Sequence, residues 1–128
     1  MKQRSINPTD DIYPATPDYI HALEITQPGR LLFISGTMGL DQNGVAPKSL
    51  SRQLELVWAN IRRILAEAQM STENIIRVTS YLRDVEYVTE NQNARVAALG
   101  DRRVPTTTIT VQTLSEDWKI EIEVVAAA

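Results

Sequence analysis

The sequence predicts an α+β fold in which two helices cover one face of a mixed β-sheet. Three observations carry this. Runs rich in β-branched and apolar residues recur along the chain, a long amphipathic segment begins at Leu50, and the order of elements reads strand, strand, helix, strand, helix, strand, strand. With 128 residues and 43% hydrophobic content, the chain is expected to form one domain, residues 1–128, around one core.

The first two strands are read in "YIHALEI" (Tyr19 to Ile25) and "LLFISGT" (Leu31 to Thr37). Thr26 to Arg30 between them contain Pro-Gly and have the length of a hairpin turn. The second run is apolar on both faces, which predicts a central strand. From Leu50 the positions Leu50, Leu54, Val57, Ile61, Ile64, Leu65 and Ala68 follow three-four spacing, while Arg52, Glu55, Arg62, Arg63 and Glu67 fall mostly off that stripe. "IIRVTSYLRDV" (Ile75 to Val85) returns to strand composition. A weaker helix over Glu86 to Leu99 ends at Gly100, a residue suited to a left-handed cap. "TTTITVQTL" and "KIEIEVVA" supply two further alternating strands.

Composition narrows the function. Thirteen basic and sixteen acidic residues give a net charge of −3, the wrong sign for a nucleic-acid backbone, so no nucleic-acid partner is expected. The chain has no cysteine, which removes disulfides, thiolate metal sites and a thiol nucleophile. His21 is the only histidine and no carboxylates cluster around it, so no metal is expected. No apolar run is long enough to span a membrane and no signal peptide is read, which makes a cytoplasmic protein the default expectation.

The threonine-rich strand raises the question of assembly. Alternation places Thr107, Ile109, Val111 and Thr113 on one face and Thr106, Thr108, Thr110 and Gln112 on the other. A polar yet uncharged face suits a wet subunit contact better than open solvent, so the threonine face is expected at a homo-oligomer interface.

The segments "YIHAL", "LLFISGTMGLD", "QLELVWANIRRILAEAQMSTENIIRVTSYLRDV", "VPTTTITVQTL" and "KIEIEVVA", in this order and spacing, make the chain resemble the Rid family, also known as YjgF and L-PSP. The resemblance implies a chorismate-mutase-like fold, a mixed six-stranded sheet with two helices on one face, in a homotrimer with small-metabolite sites between subunits. It further implies that active members hydrolyse enamines or imines to 2-oxo acids and ammonia without a cofactor.

An arginine after the proline turn binds the substrate carboxylate in the deaminase branch. Ungapped alignment back from Leu114 places Thr106 there, and a one-residue slip at Pro105 would place Thr107 there instead. A charge-assisted hydrogen bond contributes about 1.5–3 kcal/mol, so its loss should weaken binding of a small imino acid roughly ten- to a hundredfold. Threonine suits a neutral or hydroxylated ligand, and Arg102 or Arg103 could serve as a substitute anchor.

By the same resemblance Glu121 is the residue that orients water, Asn91 contacts the ligand or its loop, Ser35 lies near the ligand, and Tyr19 closes the cleft. Gly36 permits close backbone approach, or marks a bulge. Asn91 shares a helical stripe with Tyr87, Ala94 and Ala98, which predicts a buried amide in need of partners. The leading expectation is a metabolite-binding or metabolite-processing protein that is weak or inactive toward 2-imino acids. The alternative is an enamine/imine deaminase with a shifted anchor or uncharged substrate, and an endoribonuclease ranks third.

Overall fold

A computed structural model describes residues 1–128. Six strands and two helices follow one another as β1 (Lys2–Ile6), β2 (Ala22–Thr26), β3 (Leu31–Met38), α1 (Leu50–Glu67), β4 (Ile75–Leu82), α2 (Val88–Leu99), β5 (Thr106–Thr110) and β6 (Ile120–Ala127). Strands β3, β6, β4 and β5 form a mixed ladder in that order, antiparallel except for the parallel pair β4–β5. Strands β1 and β2 form an antiparallel ribbon, joined to the ladder at a parallel bridge between Ile20 and Pro105.

Helix α1 forms where the apolar spacing places it. The Ser49 side chain accepts the Arg52 amide at 3.1 Å and caps its start. Leu54, Val57, Trp58, Ile61 and Leu65 are buried against the sheet, whereas Ile64, at the edge of the stripe, is exposed. The sheet contributes Val78 and Leu82 from β4 and Ile120, Ile122, Val124 and Ala126 from β6, all fully buried. The two helices thus cover one sheet face. Gly100 follows α2 with φ of 64°, and its amide closes the helix onto the Val96 carbonyl.

Three expectations are corrected. Segments Tyr19 to Ile25 and Leu31 to Thr37 form no hairpin: β2 pairs with β1, and β3 pairs with β6. The polar Lys2–Ile6 segment, without an apolar alternation of its own, becomes a strand because β2 offers its backbone as a template. Strand β3 lies at an edge of the ladder, not its centre. Its second apolar side is uncovered, leaving Phe33 74% and Leu31 50% exposed. On β5, Thr106 and Thr108 lie on the helix side, in register with Val78 and Ser80, while Ile109 faces the helix-free side and is 47% exposed. Strand β5 ends at Thr110, short of Leu114.

Candidate functional site

Where β5 leaves the Pro105 corner, α2 crosses above it and leaves a cleft of about 200 Å³. Tyr19, Asn91 and Thr106 line it, together with Asp18, Arg95 and Thr108. Three of the residues expected at a site are therefore brought together from a loop, a helix and a strand distant in sequence. Asn91 is fully buried, as its stripe predicts, and its Oδ1 has no hydrogen-bond partner. The Thr106 hydroxyl donates to the Val104 carbonyl at 2.9 Å, which holds the start of β5.

Arg95 is the feature that motif reading missed. It stands one turn beyond Asn91 on α2 and is 3% exposed. Its Nη2 lies 2.7 Å from Asp18 Oδ2 and its Nη1 donates to the Asp18 carbonyl at 2.9 Å, leaving Nε without a partner. Burial alone would raise the Asp18 carboxyl, but hydrogen bonds from Thr16 and Arg95, with the Arg95 charge, hold it below the usual carboxylate range. The four-residue spacing from Asn91 was the available signal. A cation on a mostly apolar stripe is unusual, since burying it requires a partner.

Arg102 and Arg103 do not reach this cleft. Arg102 donates to the Thr72 carbonyl at 3.2 Å, and Arg103 donates to the carbonyls of Pro17, Gly100 and Arg102 at 2.8–2.9 Å. Both are engaged in holding loops. His21 is likewise structural, with Nε2 2.9 Å from the Tyr13 carbonyl and its ring edge-on to Tyr13 and Tyr19.

The remaining expected residues lie elsewhere. The register of β3 on β6 shifts between Ile34 and Thr37, so Ser35 and Gly36 form a bulge. The Glu121 carboxylate packs directly over Gly36, in the space a Cβ would need. Glu121 shares the helix-free face with Glu123, to which the Tyr81 hydroxyl donates at 3.1 Å, and this bond raises the Tyr81 phenol above its ordinary value. Thr107 is also on that face, where its hydroxyl accepts from Arg77 Nη2 at 3.1 Å. Ser35, Gly36 and Glu121 thus form a second group, separated from the cleft by the width of the sheet, and Thr107 belongs to neither. No three His, Cys, Asp or Glu side chains come together as metal ligands, and no helix is long and apolar enough to cross a membrane.

The family model described as Endoribonuclease L-PSP matches residues 10–128. The chain belongs to this family, which includes the Rid and YjgF proteins. Among L-PSP relatives, a RutC family protein of Aquifex aeolicus is 31% identical over 111 residues, covering 84% of this chain and 86% of its own. The mitochondrial protein MMF1 of Saccharomyces cerevisiae is 25% identical over 114 residues, covering 88% and 77%. A solved Rid family structure, YyfB from Yersinia pestis, described as of unknown function, superposes with a TM-score of 0.84 at 27% identity, with both chains fully covered. The α+β Rid fold expected from the sequence is the fold observed.

Proposed function

We propose that this chain is a Rid-type small-metabolite protein whose ligand sites form between copies of a homotrimer, and that it is weak or inactive as a 2-imino-acid deaminase. The division of the site residues carries this reading. Tyr19, Asn91 and Thr106 line one cleft, while Ser35, Gly36 and Glu121 sit across the sheet, so a site using both groups must combine two chains. The exposed Phe33, Leu31 and Ile109 on or beside the helix-free face supply apolar surface for such an assembly. Small polar ligands then bind by hydrogen bonds from Tyr19, Asn91 and Thr106, while Glu121 orients water where a reaction follows. No unpaired arginine lines the cleft to receive a carboxylate.

The test is release of ammonia and 2-oxo acid from enzymatically generated 2-imino acids, with Glu121→Gln as control and light scattering to establish the trimer. Absence of turnover by a folded trimer is expected. Turnover that scales with wild-type protein and disappears in Glu121→Gln would favour the deaminase alternative, for which the close packing of Glu121 on Gly36 is the supporting observation. Endoribonuclease action, the activity in the family description, ranks lower for an acidic chain with one histidine. It requires RNA cleavage that survives stringent purification and is lost in Glu121→Gln.

A further inference from the structure

We infer that Asp18 takes the place of a ligand carboxylate on Arg95 and thereby restricts the cleft to uncharged ligands, of which small carboxamides are the fitting class. This rests on the reading of the Tyr19–Asn91–Thr106 cleft as a ligand site. Arg95 is the only cation lining that cleft, and Asp18 the only anion. Both terminal guanidinium nitrogens are engaged by the one residue, Nη2 by its side-chain carboxylate and Nη1 by its backbone carbonyl. A guanidinium fork recognises a carboxylate through such paired contacts, and here the chain supplies the acceptors itself.

Two effects then oppose an incoming carboxylate. The paired contact of the Arg95 terminal nitrogens is already taken by Asp18, and the newcomer meets the Asp18 charge in a largely desolvated setting, with the Asp18 side chain 15% exposed. The other polar lining groups are neutral: the Tyr19 phenol, the amides of Asn91 and Gln92, and the hydroxyls of Thr106 and Thr108. Asn91 Oδ1 is an acceptor without a donor. A carboxamide carries no charge to meet Asp18, and it brings N–H donors for the hydroxyl oxygens of this lining and a carbonyl that accepts from a hydroxyl; a carboxylate has no donor to offer.

The experiment compares propionamide with propionate, a pair of nearly equal shape, by NMR titration of the trimer, following Tyr19 and Asn91. Wild type is expected to bind propionamide at the cleft and to show no saturable shift with propionate. In Asp18→Asn, which keeps an acceptor for Arg95 but removes the charge, propionate affinity should rise roughly ten- to a hundredfold relative to propionamide. Asp18→Asn/Arg95→Gln should lose that gain. If Asp18→Asn fails to fold, Asp18→Ser with the same two ligands decides, with rescue of its melting temperature by propionate as the readout. Propionamide binding at the cleft without a carboxylate gain in the Asp18 variants overturns the inference and leaves the cleft standing. Shifts at Tyr19 and Asn91 with neither ligand overturn the inference and count against the cleft reading itself.

Discussion

Arg95 and Asp18 lie 77 positions apart in sequence and meet at 2.7 Å in the lining of the cleft, which ties helix α2 to the loop that carries Tyr19. The two partners are unequally buried, Arg95 at 3% and Asp18 at 15% side-chain exposure. Removing one should therefore not equal removing the other. Asp18→Ala strands a buried guanidinium and should cost about 3–5 kcal/mol, whereas Arg95→Met leaves a carboxylate that can turn to water and should cost less, about 1–3 kcal/mol. Urea denaturation of both variants measures the difference; equal losses would contradict it.

Acid should weaken the same contact. The Asp18 carboxyl is held below the ordinary carboxylate value, so its contribution is fully present above that value, about pH 4, and is lost as pH falls through the lower folded value. Unfolding free energies measured from pH 6 downward should show wild type and Asp18→Ala converging below about pH 4. A gap that stays constant into strong acid would show that the carboxylate is not the source.

The two candidate anchor threonines make separable predictions. Thr106 lines the cleft, so Thr106→Arg should increase turnover of small 2-imino acids. Thr107 faces the other side of the sheet, where a new arginine would meet Arg77, and Thr107→Arg should bring no gain. Ammonia release by the two variants decides between them.

Glycine at position 36 leaves room for the Glu121 side chain lying over it. A methyl there would overlap the carboxylate, and since that carboxylate ends a flexible side chain, Gly36→Ala should displace Glu121 at a cost to folding of only about 1 kcal/mol or less. The Glu121 carboxyl carbon shift in NMR spectra should move while the melting curve barely changes. A large loss of stability would mean that the backbone, rather than the side chain, had to yield.

Phe33 tests the assembly. It is 74% exposed on an edge strand, and the proposed trimer would cover it, so Phe33→Asp should shift the mass measured by light scattering from trimer towards monomer with the helical signal preserved. A trimer unaffected by this change would place the interface elsewhere.

The helices were legible because α1 shows its period over five turns, and Leu54, Val57, Ile61 and Leu65 go where that period puts them. Strand β6 was equally plain, with Ile120, Ile122 and Val124 buried on one side and Glu121 and Glu123 on the other. Pairing was not legible. A Pro-Gly turn between Ile25 and Leu31 satisfies the local rules for a hairpin, yet β3 finds its partner in β6, some ninety residues on, because the core pattern of β6 matches it. The apolar character of Leu31 and Phe33 indicates burial without saying by what, and an edge strand with an uncovered apolar side reads the same as a central one. In the cleft, Asn91 was found from its stripe and by resemblance, whereas Arg95 depended on a partner, Asp18, that no spacing rule connects to it.

The bridge from Ile20 to Pro105 has a mechanical consequence. The β1–β2 ribbon meets the ladder by backbone at this one point, and the neighbouring residues Asp18 and Tyr19 form a wall of the cleft. Swinging the ribbon outward would therefore widen the cleft, and a molecule held there would brace the ribbon against the sheet. Occupancy and ribbon fluctuation become two readings of one equilibrium, so slowed amide exchange at Leu23 to Ile25 would report a bound ligand several residues from any atom touching it.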